Sequence, residues 1–189
     1  MTPHAAQASV TAMTTATIRT TISADMPAIT QLCWDYRDVL IARAGARRGV
    51  VEVAYASEGY AALLTDLPRI HARPLGDILV AEIDGDVLGC AMYYPFSEGV
   101  TEMKRVYVDP RARGSGAGRA LVQAGIDHAR ADGYARMVID TITPLHEAIA
   151  LYQSLGFAPC APFYEPDPAF ADVLRFFDLS LQTASHDSR

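Results

Sequence analysis

The amino-acid sequence predicts a single α+β domain, and three observations carry that expectation. Residues 77–108 read as three consecutive strands joined by tight turns, the pattern of a β-meander. Segments before and after the meander repeat their apolar residues at helical spacing. No internal repeat or flexible linker divides the 189 residues, a length that suits one domain with a substantial core. The expected organisation is a flexible Ala/Thr-rich tail over 1–17, one domain over 18–182, and a frayed end over 183–189.

The elements follow in order. The β-branched run T-I-R-T-T-I at 17–22 suits a strand. Ser23 or Asp25 can cap the next helix, with Pro27 in its first turn, where a missing N–H is tolerated. Ile29, Leu32, Cys33, Tyr36, Leu40 and Ile41 mark its apolar face. A second helix is expected over 52–67, ended by Pro68, and then an irregular, exposed loop over 69–76. Strands follow at 77–83, 87–94 and 100–108, with turns at Asp84-Gly85-Asp86 and over 95–99. Leu121, Val122, Gly125, Ile126 and Ala129 give one face of a helix that stops near Gly133. A fifth strand is expected over 136–141 and a helix over 144–155, with Gly156 as its C-cap. Two further strands, 157–161 and 174–181, flank a Pro-rich connection.

Composition bounds the function. Half of the residues are hydrophobic and a fifth charged, as in a globular protein. The net charge of −6 argues against a general nucleic-acid binder, which should be basic. Cys33, Cys90 and Cys160 are widely spaced and odd in number, so reduced thiols and no metal site are expected. No apolar run reaches the roughly 18 residues of a membrane span, and residues 1–17 lack the pattern of a signal peptide. A cytoplasmic protein without membrane contact is the expectation. His71 and His128 read as surface positions, and Cys90 as a core thiol rather than a nucleophile.

The stretch D-P-R-A-R-G-S-G-A-G-R-A-L at 109–121 carries the chemistry. It lies where a strand turns into a helix, so orphan N–H groups and the helix dipole favour an anion. Glycines let the backbone approach such a ligand closely. Lys104, Arg105, Arg111, Arg113 and Arg119 are opposed only by Asp109 between 103 and 119. The stretch is not a P-loop, because no Lys follows the glycines, nor a dinucleotide fingerprint, because Gly114, Gly116 and Gly118 alternate after a meander. R-x-x-G-x-G fits twice, from Arg111 or from Arg113.

A meander ending in M-K-R-V-Y-V-D-P, then R-A-R-G-S-G-A-G-R-A-L-V-Q-A-G-I-D-H-A, then E-A-I-A-L-Y-Q-S-L-G-F resembles the GCN5-related N-acetyltransferases (GNAT) over roughly residues 18–181. The resemblance implies a mixed central sheet of six to seven strands with helices on both faces. It also implies a V-shaped opening between the fourth and fifth strands, occupied by acetyl-CoA as co-substrate. The family pattern selects the frame that starts at Arg113. It places pyrophosphate on the amides of Arg113, Gly114, Ser115, Gly116, Ala117, Gly118 and Arg119. Val106, Tyr107 and Val108 would border the pantetheine arm and acetyl carbonyl. Arg111 becomes a flanking charge that can steer coenzyme A or meet its 3′-phosphate.

By the same resemblance Tyr152, in L-Y-x-x-x-G-F, would be the general acid for the departing thiolate. Its reference pKa of about 10 keeps it protonated at neutral pH. Alternatively it packs on the inner face of its helix. Glu102 would be a base or an ammonium site; a salt bridge with Lys104 or Arg105 is the alternative. Alternation puts Glu102, Lys104, Val106 and Val108 on one face, unless a β-bulge intervenes. Where many relatives have Asn, this chain has Leu145, so His146 or Thr143 would replace that contact. The acceptor pocket is expected among the first two helices, the 69–76 loop, Tyr93-Tyr94-Pro95-Phe96 and Phe163-Tyr164-Glu165-Pro166. The implied activity is direct acetyl transfer to a small-molecule or peptide amine in a ternary complex, with homodimerisation common in the family. A non-catalytic acyl-CoA-binding module of the same fold is the alternative, as is transfer of a longer acyl group or to a hydroxyl.

Overall fold

A computed structural model describes residues 15–182. Most of the expected N-terminal tail, residues 1–14, and the expected frayed end, residues 183–189, lie outside the described residues. Its elements are β1 (Thr17–Thr20), α1 (Met26–Arg43), α2 (Arg48–Ala54), α3 (Ser57–Ile70), β2 (Asp77–Ile83), β3 (Asp86–Ser97), β4 (Val100–Val108), α4 (Ala117–Ala131), β5 (Arg136–Ile142), α5 (His146–Ser154), β6 (Ala158–Pro159) and β7 (Leu174–Ser180). The seven strands form one sheet in the order β1-β2-β3-β4-β5-β7-β6. Every neighbouring pair is antiparallel except β4 and β5. This is the mixed sheet expected.

Helices cover both faces of the sheet. Ile29, Leu32 and Cys33 of α1 and Tyr60, Leu64 and Leu67 of α3 pack on Ile78 and Val80 of β2 and Cys90 and Met92 of β3. On the opposite face, α4 lays Val122, Ile126 and Ala129 against Tyr93, Met103 and Met137. Leu79 and Ala81 of β2 meet Ala117 and Leu121 there. A strand covered on both sides reads as a nearly continuous apolar run, which is how β2 reads. All five apolar positions expected on α4 are buried.

Four local expectations need correction. The helix expected over 52–67 is two helices, because Ala56 leaves the helical region at φ −55°, ψ 133°. The break lets the Tyr55 carbonyl accept from Arg37 Nε at 2.8 Å and sets its ring 5.2 Å from that of Tyr60. Pro68 does not end α3 but sits in its last turn. There its missing N–H deprives the ladder of one bond close to where it ends. The 69–76 region is not simply exposed: His71 is buried, with Nδ1 2.9 Å from the Tyr93 carbonyl. Burial lowers the His71 pKa to about 4, partly opposed by that carbonyl. His128 does stay at the surface, its side chain 41% exposed, but it has a partner that was not expected, since its Nδ1 lies 2.9 Å from buried Asp77.

The last differences concern ends and caps. β6 shrinks to Ala158–Pro159 at the edge of the sheet, where a proline needs no ladder partner on its open side. Asp25 makes no side-chain cap on α1. Its carboxylate accepts from the Ile22 N–H at 2.8 Å and pairs with Arg19 at 2.7 Å. The Arg19 guanidinium, which also holds Glu82, brings the Asp25 carboxyl down to about 2.

Candidate active site

β4 and β5 run parallel but pair only at Val100 with Arg136, Thr101 with Met137 and Glu102 with Val138. Beyond Glu102 the two strands diverge, while β4 stays paired to β3 as far as Val108. The divergence is the V-shaped opening. It leaves one edge of β4 without a strand partner, and unpaired backbone groups on such an edge seek a partner.

A β-bulge sorts the side chains of β4. Cys90 pairs with Tyr107 and Met92 with Lys104, so two steps on β3 answer three on β4. Arg105 occupies the bulge at φ 52°, in the left-handed region that favours glycine. Cross-strand partners share a face. Lys104 therefore lies with Met92 on the side of α1 and α3, as does Glu102. After the bulge Val106 and Val108 turn to α4 and pack with Ala117 and Leu121. Tyr107 turns back to α1, its ring 5.9 Å from that of Tyr36. The single face expected from simple alternation is thus split in two.

At the end of β4 the chain makes a 3-10 turn over Pro110–Ala112 and enters the glycines. Gly114 and Gly116 have φ of 81° and 78°, a conformation that costs other residues roughly 1–2 kcal/mol. Nothing lies within 4 Å of where a Cβ would stand at either position. Ser115 Oγ accepts from the Ala117 N–H at 3.2 Å and donates to the Ala112 carbonyl at 2.7 Å. The amides of Gly114, Gly116, Gly118 and Arg119 have no protein acceptor among the described residues. An open cradle of free N–H groups at a helix N-terminus fits a phosphate-bearing ligand such as coenzyme A.

The arginines around this cradle are not equivalent. Arg111 is bound to Asp109 through its backbone N–H, Nε and Nη2 at 2.7, 3.1 and 2.9 Å. Arg119 donates from Nη2 to Ser154 Oγ at 2.6 Å. Arg113 is exposed and makes no ion pair among the described residues. Its charge is free for a ligand.

A cavity of about 410 Å³ opens on the α1–α3 side between the diverging strands. Tyr152 of α5 and Val106 contribute to its wall. Tyr152 is 4% exposed, and its ring rests 5.9 Å from Phe157 and 6.4 Å from Phe177. Burial pushes the phenol well above its usual value, Asp140 pushes the same way, and Lys104 opposes them.

Lys104 and Asp140 also line the cavity, whereas Glu102 lies behind Lys104 and does not. Lys104 Nζ is 2.6 Å from both Glu102 Oε1 and Asp140 Oδ1. Burial works against its charge, but the two carboxylates win and raise its pKa. The contact to Glu102 is an ion pair without hydrogen-bond alignment. The other Glu102 oxygen accepts from the Tyr94 hydroxyl. Tyr164 donates to the second Asp140 oxygen at 3.2 Å.

Several expectations for the acceptor pocket shift. α1, α2 and α3 do wall the cavity, and Tyr164 closes part of it. The 69–76 loop and Tyr93-Tyr94-Pro95-Phe96 do not reach it. Tyr93 is fully buried on the α4 face and bonds Asp132 at 2.5 Å, while Tyr94 is held by Glu102. Leu145 is buried with Leu40, Ile41 and Val51. Of its expected substitutes, Thr143 gives its hydroxyl to the Val173 carbonyl at 2.9 Å, and His146 is exposed. Three charged residues of the cavity, Arg105, Asp140 and Asp167, were not among the expected site residues. Asp140 carried a signal, an acid inside the apolar run of β5. Arg105 was visible only as one of the basic residues before the glycine loop, because a one-dimensional pattern does not say which residue a bulge turns toward the cavity.

The chain is similar to known N-acetyltransferases in sequence and in fold. An uncharacterised N-acetyltransferase of Schizosaccharomyces pombe is 42% identical over 98 residues, covering 51% of this chain and 60% of its own length. An IAA acetyltransferase of Azospirillum brasilense is 41% identical over 108 residues, 56% of this chain and 70% of its own. Among solved structures, a chain from Salmonella typhimurium determined with its cofactor acetyl-CoA superposes with a TM-score of 0.61 at 26% identity. That match covers 92% of this chain and 99% of the other. Ribosomal-protein-alanine N-acetyltransferase from Brucella melitensis superposes with a TM-score of 0.61 at 25% identity, over 87% and 99% of the two chains. Among the described residues no helix is long and apolar enough to cross a membrane. Residues 30–157 match the profile of the Acetyltransferase (GNAT) family, and the chain belongs to that family.

Proposed function

We propose that this protein transfers the acetyl group of acetyl-CoA directly to a primary amine in a ternary complex. One observation carries the reading. The free amides of the glycine loop stand at one end of the unpaired edge of β4, and Tyr152 and the Asp140–Lys104 pair flank the other. The loop, with Arg113, is suited to hold the pyrophosphate. The edge beside Val106, Tyr107 and Val108 is suited to pair with the pantetheine arm. What acetyl-CoA supplies when bound is a thioester carbonyl open to attack.

An amine acceptor arrives mostly as an ammonium and must lose a proton. Asp140 is a carboxylate on the cavity wall beside Tyr152, whereas Asp167, also on the wall, is bound to the Ala169 N–H. In this reading it binds the ammonium and takes its proton, freeing the lone pair that attacks the thioester carbon. Glu102 then serves as a positioning residue, holding Lys104 from behind. As the C–S bond breaks, the Tyr152 hydroxyl donates a hydrogen bond to the departing sulfur, and the second proton of the attacking nitrogen passes to that thiolate, leaving a neutral amide and the free thiol. Burial lifts the phenol further above a thiol, near pKa 8.5. Its environment therefore favours stabilising the forming thiolate through the hydrogen bond over early surrender of the proton.

Thiol release from acetyl-CoA across a panel of primary amines tests the reading. Tyr152→Phe keeps the ring packing and removes the donor, so kcat should fall by roughly 10²-fold or more. Unchanged turnover in that variant defeats the role given to Tyr152. Tight acetyl-CoA binding without thiol release from any amine defeats the reaction itself.

A further inference from the structure

We infer that the acceptor carries a carboxylate beside its amine, and that Arg105 is the residue that binds it. The inference rests on the N-acetyltransfer reading and names its substrate class: an α-amino acid with an apolar or aromatic side chain.

The charges around the cavity do not balance locally. Four charged residues line it: Lys104, Arg105, Asp140 and Asp167. Lys104 is committed to Asp140 and, behind it, to Glu102. Asp167 Oδ1 accepts from the Ala169 N–H at 2.8 Å, closing its own turn. Arg105 makes no ion pair among the described residues, and its Nε is buried with no hydrogen-bond partner. An unpaired guanidinium half withdrawn from water is unfavourable unless an anion completes it.

The backbone makes the same point. Arg105 holds φ 52° at the bulge, a conformation poorly suited to any side chain but glycine. Strain of this kind persists where a side chain must be aimed, and here it adds Arg105 to the α1–α3 side of the strand. Its positive charge there opposes the effect of burial on the Tyr55 and Tyr60 phenols, and the Tyr60 hydroxyl is also a hydrogen-bond neighbour, but neither phenol is an acid that would neutralise it. The anion that Arg105 would bind is not the coenzyme's pyrophosphate, because the glycine cradle opens at the far end of β4 where the strand turns to α4.

Guanidinium geometry selects the partner. Its planar fork matches a carboxylate through two parallel N–H···O bonds. Arg105 and Asp140 thus give the cavity one cationic and one anionic anchor, the arrangement that a zwitterionic amino acid complements. Leu40, Val51, Leu63 and Phe170 form the apolar remainder of the wall. They are suited to an apolar or aromatic side chain.

Two matched pairs of acceptors test this: phenylalanine against phenethylamine, and leucine against 3-methylbutylamine. Each pair differs only in the carboxylate. Wild type should prefer the amino acid by about thirtyfold or more in kcat/KM, mostly through KM. In Arg105→Gln the preference should shrink to within about threefold, and Arg105→Lys should restore part of it. The acetyl-CoA dissociation constant reports that each variant is folded. A wild-type preference near one, or a preference that survives Arg105→Gln, overturns the inference. If no amine releases thiol, the reaction reading falls separately. The carboxylate site is then decided by calorimetry of N-acetylphenylalanine and N-acetylphenethylamine on the coenzyme A complex. Tighter binding of the acid, lost in Arg105→Gln, upholds it, and equal binding overturns it.

Discussion

Replacing Lys104 with Met separates the ion cluster from the rest of the site. Met matches the length of the Lys stem and removes its charge. In the native protein one ammonium, 29% exposed, sits 2.6 Å from each of two carboxylates that are 3% and 15% exposed. Without it, Glu102 and Asp140 keep two negative charges with no cation between them. Removing one partner of a buried pair costs about 3–5 kcal/mol. The partial exposure of Lys104 reduces that to about 2–4 kcal/mol, a fall in Tm of roughly 5–15 °C for a domain of this size. The deficit must also depend on pH. Protonating either acid relieves the repulsion, so the folded variant binds protons more readily than its unfolded chain and gains stability as pH falls. Urea titrations of wild type and Lys104→Met at pH 5 and pH 8 read both effects. Adding Glu102→Gln to Lys104→Met should return about 1 kcal/mol or more. A deficit under about 1 kcal/mol, equal at the two pH values, would refute the reasoning, since it would mean that water already screens these charges.

The remaining predictions concern the glycine loop, one close approach and one buried imidazole. Arg113→Ala should weaken acetyl-CoA binding about tenfold or more and Gly116→Val should weaken it severely. Arg111→Ala, whose guanidinium Asp109 already holds, should cost less than about threefold and less still at high salt; isothermal titration ranks them, and the reverse order means the other frame binds pyrophosphate. Gly76→Ala sets a Cβ 2.7 Å from the Tyr93 carbonyl and 3.0 Å from the His71 Cα. Neither backbone can retreat easily, so a loss of about 2–3 kcal/mol is expected in thermal unfolding. His71 has a folded pKa of about 4 against 6.5 for the free side chain. Its contribution is fully present above 6.5 and is lost as pH falls toward 4, because only the unfolded chain takes up the proton in that window. The span amounts to about 3 kcal/mol, and His71→Gln should flatten that part of a stability–pH profile.

Much of the fold was legible because local rules agree with one another. β2, β4, β5 and the buried face of α4 stand where periodicity and turn residues put them. The misreadings fall where tertiary contacts override local preference. One helix became two at Ala56, where the chain leaves the helical region and Tyr55 meets Arg37 and the Tyr60 ring, contacts that come from distant parts of the fold or from packing rather than from local pattern. His71 carries no apolar signal, yet its place between α3 and β3 buries it.

The glycine loop is the part of the site that sequence alone determined. Left-handed turns, free amides and a helix start are properties of about ten consecutive residues, so a local pattern suffices to encode them. The assembly of the cavity is different. Glu102, Lys104 and Arg105 adjoin one another in the chain, and Asp140 lies on another strand. Which of them meet depends on one extra residue in β4 and on where two parallel strands part. A bulge reverses the facing of every residue beyond it, and a strand's partner is set by folding over long range. The residues were therefore written in the sequence, and only the tertiary structure decided that Lys104 faces Asp140 and that Arg105 lines the cavity without an acid of its own.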